Sequence, residues 1–253
     1  MKVLALYNIK GGVGKTAAAV NLGFCAARDG QRTLIWDLDP QGAASFYFRI
    51  RAKVKGGGRK LIRGKRPLPE QIRGTDFEGL DLLPADFSYR HMDQDLEATR
   101  RPVRQLGRLL EPLRDEYDVV LLDCAPSITL VSEAIFVAAG ALLVPTIPTT
   151  LSLRTLDRLA GHLRKKGRRR ARLLPFFSMA DRRKKLHREI CDGEEARRRK
   201  MLEAAIPNAT VVEQMGLRRA PVGAWAPRSA AARSYRKLWR EVRRRVGVSC
   251  RDD

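Results

Sequence analysis

The chain is poor in cysteine, histidine and acid, and it has no long apolar run. Its four cysteines (Cys25, Cys124, Cys191, Cys250) are scattered over 253 residues with no C-x-x-C spacing. That argues against a disulfide framework or a zinc site and fits a reducing compartment. The three histidines (His91, His162, His187) show no ligand spacing, and neither Ser127 nor Ser132 has a paired His and Asp motif. Histidine-based metal chemistry and serine-hydrolase chemistry therefore have no support. No apolar stretch approaches the ~20 residues that cross a bilayer. The first residues run straight into a glycine-rich loop, so we expect no signal peptide and a cytoplasmic location.

Acid is scarce in a particular place. The chain carries 50 Lys and Arg against 28 Asp and Glu, a net charge of +22. Residues 1–150 hold 21 basic and 17 acidic side chains, whereas residues 151–253 hold 29 and 11. Basic clusters recur at 164–170, Arg182–Lys185, Arg197-Arg198-Arg199-Lys200, Arg218-Arg219 and Arg243–Arg245, with Arg236 and Lys237 on a helical segment between the last two. One such cluster is an ordinary solvated face. Five within about one hundred residues imply a polyanionic partner. No helix-turn-helix or zinc-finger pattern accompanies them, so the expected partner is DNA read through its backbone, without sequence preference.

What the sequence does contain is a phosphate-binding loop with an extra lysine. Residues 8–16 read Asn8-Ile9-Lys10-Gly11-Gly12-Val13-Gly14-Lys15-Thr16. Ile9 stands where G-x-x-x-x-G-K-[ST] has its first glycine, so the match is partial. Met1 to Asn8 reads as a buried parallel strand. The alanine-rich stretch 16–28, with Gly30 as its stop, reads as a helix. Three glycines let successive N–H groups turn toward phosphate oxygens at the positive end of that helix. Lys15 would meet the β- and γ-phosphates, and Thr16 would ligate Mg²⁺. Lys10 has no obvious use within its own site and makes sense if it reaches the nucleotide of a second copy.

Two further strands end in acids. Thr33-Leu34-Ile35-Trp36 leads into Asp37-Leu38-Asp39-Pro40-Gln41-Gly42, and Val119–Leu122 into Asp123. Asp37 and Asp39 are two apart and would face the same way in a strand. All three acids would stand at the carboxyl edge of the sheet, where open α/β folds bind ligands. Thr16, Asp37 and Asp123 are the metal candidates, and Asp123 can hold Mg²⁺ through water.

These segments resemble the ParA/MinD group of deviant Walker ATPases, and most closely its small ParA-type partition ATPases. The similarity rests on the lysine-bearing loop, the D-x-D-P-Q-G segment and Leu122–Ser127. It extends to Gly79–Ala85, Leu143–Thr146, Ser178–Arg182, Ile206-Pro207-Asn208 and Pro227–Tyr235. The resemblance implies an ATPase that uses Mg²⁺ and dimerises on ATP. Lys10 would cross to the partner's phosphates, with Gly11, Gly12, Val13, Gly14, Lys15, Thr16 and Ala17 wrapping its own nucleotide. Asp39 would position the attacking water, and Met179 and Pro207 would flank the adenine. Lys10, Lys15 and Asp39 are thus the catalytic set. The implied partners are a second copy, nonspecific DNA and a ParB-like or cargo-adaptor protein, with a nucleoid-associated location. Ala17 replaces a commonly found threonine, and Asn208 stands where arginine is common. The basic, glycine-rich stretch 51–66 is expected to be a loop and has no counterpart.

The expected fold is α/β: one domain over 1–253, a mostly parallel twisted sheet with helices on both faces. Residues 92–115 read as helix broken near Pro102 and Pro112. Residues 229–246 place Tyr235, Leu238, Trp239, Val242 and Val246 at helical spacing, opposite a basic face. Such a helix either lies on a membrane, as in a MinD-like cycle, or docks on the sheet with its cations facing DNA. The polar ending after Val246 favours docking. A DNA-binding scaffold with an idle ATP site is a rival of another class, opposed by the presence of both Asp39 and Asp123.

Overall fold

The apolar runs closed by acids form the centre of one seven-stranded sheet. The computed structural model describes residues 1–165 and 171–249. Most of the cluster 164–170, and Cys250, therefore lie outside the described residues. The strands are β1 (Lys2–Leu6), β2 (Thr33–Asp37), β3 (Arg73–Gly74), β4 (Leu80–Leu83), β5 (Val119–Asp123), β6 (Ala141–Thr146) and β7 (Arg172–Phe177). Their order is β3-β4-β2-β5-β1-β6-β7. All pairings are parallel except that of β3 with β4. β2 and β5 are buried at every position, as parallel strands covered on both faces must be.

Two apolar layers cover the sheet. Alternate strand residues face each one: Leu34, Trp36, Val120 and Leu122 on one side, Ile35, Val119 and Leu121 on the other. On the second side lies α1 (Lys15–Arg28), whose Gly23 sits so close to β2 that a Cβ there would come within 2.6 Å of Ile35. The C-terminal helix Ala230–Val246 packs over α1. Ser229 Oγ caps it by accepting from the Ala232 N–H at 3.2 Å. Leu238, Trp239 and Val242 are fully buried, and the Trp239 indole N–H donates to Asp29 at 2.8 Å. The apolar stripe is thus docked, and Arg236, Lys237, Arg240 and Arg244 face outward. Among the described residues no helix is long and apolar enough to cross a membrane.

The stretch 92–115 breaks where its prolines fall, into Met92–Glu97 and Gln105–Leu110 with short turns at Pro102–Arg104 and Glu111–Leu113. The basic stretch 51–66 departs from the expected loop. It contains a helix, Gly58–Ile62, whose Leu61 and Ile62 are buried. Consecutive glycines and cations hide a helical period that only two apolar residues complete.

Candidate functional site

The sheet register brings the predicted acids to one level. Asp123 pairs with Leu6 on β1 and with Asp37 on β2, so the two carboxylates end adjacent strands beside the loop that leaves β1. The chain passes from β1 to one side of the sheet and later crosses to the other side at β6. The loop therefore lies at the topological switch point.

The loop is held from outside itself. Asn8 donates to the Pro145 carbonyl at 2.8 Å, and its side-chain oxygen accepts from the Lys10 N–H at 2.9 Å. Gly12 and Gly14 have φ of +68° and +87°, conformations that favour glycine. Gly14 is also crowded: a Cβ would come 2.9 Å from Ser178 Oγ, at the end of β7. Gly14 caps α1 with no side chain to satisfy the first N–H groups, so those donors are available to an anion.

Lys15 is buried, and its Nζ donates to the Lys10 carbonyl at 3.1 Å. Burial lowers its pKa, and the charges of Asp123 and Asp39 oppose that shift. The Lys10 side chain is half-exposed and makes no hydrogen bond or ion pair among the described residues. Thr16 and Ala17 are half-buried at the start of α1, and Gly11 is exposed at the tip of the loop.

Asp123 is wholly buried, and neither carboxylate oxygen has a hydrogen-bond partner among the described residues. Burial pushes its pKa well up, with the Asp37 charge adding to the effect. The nearby Thr16 hydroxyl and Lys15 pull in the other direction, although Thr16 is outside hydrogen-bond geometry. Two orphaned carboxylate oxygens next to a buried ammonium and a hydroxyl form a donor set suited to a cation. That donor set fits Mg²⁺ bound by one hydroxyl, one carboxylate and phosphate oxygens.

Asp39 lies beyond the end of β2, which stops at Asp37. Asp37 is buried and accepts three hydrogen bonds: from Asp39 N at 3.3 Å, Ser45 N at 2.8 Å and Ser45 Oγ at 2.7 Å. Burial raises its pKa to about 6 in spite of those donors. It braces the loop that presents Asp39, a use the metal assignment did not include. Asp39 is half-exposed, with one oxygen accepting from Gln41 N at 3.0 Å. Ser45 was not anticipated. No motif marks it, although its hydroxyl also accepts from Ala85 N at 3.0 Å and so ties the loop to the segment after β4.

Met179 and Pro207 come together. Ala180 bridges Pro207 as a short parallel pair, and Ala180 N–H donates to Ile206 at 2.9 Å. Met179 is exposed with φ of +54°, rare for a long side chain and typical of strained site residues. Cys124 is fully buried, and its thiol pKa is pushed well up by burial, which leaves it an inert small residue.

The basic side chains divide into two groups. Arg197, Arg198, Lys200, Arg218, Arg236 and Lys237 are exposed, Lys237 with Glu203 at 3.6 Å. Arg199 is corrected: its side chain is 9% exposed and ion-paired with Asp157 at 2.7 Å and with Glu195. Arg219 is half-buried, donates to the Phe46 carbonyl at 3.0 Å and stacks over the Phe46 ring. Arg199, whose charge is neutralised inside the fold, is withdrawn from the DNA-facing set, whereas Arg219 meets no carboxylate among the described residues.

The AAA_31 family (AAA domain) matches residues 1–173. The chromosome partitioning protein ParA of Caulobacter vibrioides is 32% identical, covering 96% of this chain and 94% of the relative. The sporulation initiation inhibitor protein Soj of Bacillus subtilis is 30% identical, covering 95% and 98%. Among solved structures, cobyrinic acid a,c-diamide synthase from Mycobacterium smegmatis with bound ADP and magnesium superposes with a TM-score of 0.81 at 25% identity, over 96% of this chain and 94% of that one.

Proposed function

Because this chain belongs to the ParA/Soj family of partition ATPases, we propose that it is an ATP-gated dimer that grips DNA backbone and so positions a cargo. It is an ATPase that uses ATP and Mg²⁺. Mg²⁺ supplies charge neutralisation at the β- and γ-phosphate oxygens. Thr16 and Asp123 would hold it, while Asp37 keeps the Asp39 loop in place. Lys15 leaves the Lys10 carbonyl for a phosphate oxygen, and the bare N–H groups from Gly11 to Thr16 take the rest. Asp39 orients the attacking water. Met179 and Pro207 flank the base. Lys10 reaches across to the nucleotide of the second protomer, so that two copies close only when both carry ATP.

The observation that carries the DNA reading is the orientation of the C-terminal helix. Its apolar stripe is buried against α1, which leaves Arg236, Lys237, Arg240 and Arg244 on the outside. Arg197, Arg198, Lys200 and Arg218 add to that cationic set. The same docking disfavours a MinD-like membrane cycle, which needs a free apolar face. Asp39 and Asp123 in the site disfavour a scaffold with an idle nucleotide. A ParB-like or adaptor partner would stimulate turnover, and the cargo would be a plasmid, a chromosome or a cytoplasmic body. Filter binding of random-sequence duplex should be tight with ATP, weak with ADP, and should fall steeply as salt rises. Equal binding with either nucleotide, or a flat salt response, contradicts this reading.

A further inference from the structure

Residues 51–66 carry eight basic side chains and no acidic one. Without them the first 150 residues hold 13 basic and 17 acidic side chains, so this one segment reverses the sign of that part of the molecule.

The segment is fastened down rather than solvated. Val54, Leu61 and Ile62 are at most 1% exposed and join the layer on the sheet face opposite the C-terminal helix. Asp86 accepts from Val54 N and Gln71 accepts from Lys55 N, both at 2.9 Å. Gly58 lies against Tyr89, where a Cβ would come within 2.5 Å of the ring. Arg59 and Arg63 share the buried Asp95 carboxylate at 3.2 and 3.0 Å. Arg51, Lys53, Lys55, Lys60 and Lys65 are exposed, and none has a carboxylate partner among the described residues.

Four unpaired ammonium groups fixed on one anchored loop repel each other, and a polyanion relieves that repulsion. The character of the surface indicates which polyanion. Arg59 and Arg63 are engaged by Asp95, while Arg51 and the four lysines stay outside without a carboxylate partner among the described residues. No large apolar side chain is exposed among them, so the segment offers charge without the hydrophobic anchor of a protein interface and suits a phosphate backbone. We propose that residues 51–66 form a second surface for duplex backbone, independent of the C-terminal one. The two surfaces cover opposite layers of the sheet, so each protomer holds two short duplexes. The count of two rests on the DNA reading of the C-terminal face; the surface at 51–66 does not.

The test is a stoichiometric titration of the full chain with ATP and Mg²⁺, using a fluorescent duplex short enough to cover one face. Poly-glutamate serves as a parallel probe. The wild type should bind two duplexes per protomer. Lys53→Gln/Lys55→Gln/Lys60→Gln/Lys65→Gln should halve that number with ATP turnover unchanged. Arg236→Gln/Arg240→Gln/Arg244→Gln should weaken the other site. The site it leaves intact should show a log–log salt slope of up to about −3.6 for four phosphate contacts. If the lysine variant keeps the wild-type stoichiometry, the second surface is overturned while the C-terminal reading stands. If it loses only poly-glutamate binding, the partner is an acidic protein and the proposal is also overturned. If the arginine variant alone changes nothing, the C-terminal reading fails and the surface at 51–66 remains.

Discussion

Charge is used in opposite ways at the carboxyl edge of the sheet and on the C-terminal helix. At the edge it is sparse and buried: Lys15, Asp37 and Asp123 are each under 10% exposed, and Asp123 has no donor among the described residues. On the helix it is abundant and wet, with Arg236, Lys237, Arg240 and Arg244 at the surface over a stripe of buried Leu238, Trp239 and Val242. A buried ion is costly and is kept where hydrogen bonds, an opposite charge or a ligand completes it. Exposed cations cost little singly and act together on a charged polymer. The first region therefore suits one small ligand in one geometry, and the second suits the long polyanion proposed for it, held in many registers.

That contrast can be broken from either end. The largest effect belongs to the edge. Asp39→Ala should lower ATP turnover by about 10²–10⁴ while leaving ATP binding in place, if Asp39 orients the attacking water. Steady-state hydrolysis alongside nucleotide titration separates the two, and normal turnover in the variant removes Asp39 from the catalytic set. Next is the apolar side of the helix. Trp239→Ala empties a fully buried site and strips Asp29 of its indole donor, at a cost of about 3–5 kcal/mol in chemical denaturation. A cost under about 1 kcal/mol would mean that the helix is not docked as described. Ser45→Ala removes a donor from buried Asp37 and should cost about 1–3 kcal/mol, together with some loss of turnover as the Asp39 loop loosens. The smallest effect on the fold comes from the outer face. Arg236→Gln with Arg240→Gln should leave stability within about 0.5 kcal/mol and reduce the salt slope of DNA binding by about 2.

Both regions were legible in outline in the sequence. The edge could be read because apolar runs that end in acid mark buried parallel strands, and β5 begins at Val119 and ends at Asp123 as that pattern requires. The amphipathic spacing of the C-terminal helix was equally plain. Tertiary partners were not. Arg199 looks like its neighbours in sequence, but Asp157, 42 positions away, takes its charge. The strand expected to carry both Asp37 and Asp39 stops at Asp37, and the Asp39 N–H donates back to the Asp37 carboxylate. Ser45 carried no signal at all, since a bracing hydroxyl is identified only by what it touches.

Lys10 joins the two regions. It lies at the buried edge, its side chain is half-exposed with no partner among the described residues, and its proposed target belongs to a second protomer whose cations extend the outer face. Sedimentation velocity of wild type and Lys10→Ala, each with ADP and with ATP, tests this most directly. Wild type should shift from monomer to dimer with ATP, whereas Lys10→Ala should bind ATP and remain monomeric. A Lys10→Ala protein that dimerises on ATP like the wild type would contradict the account.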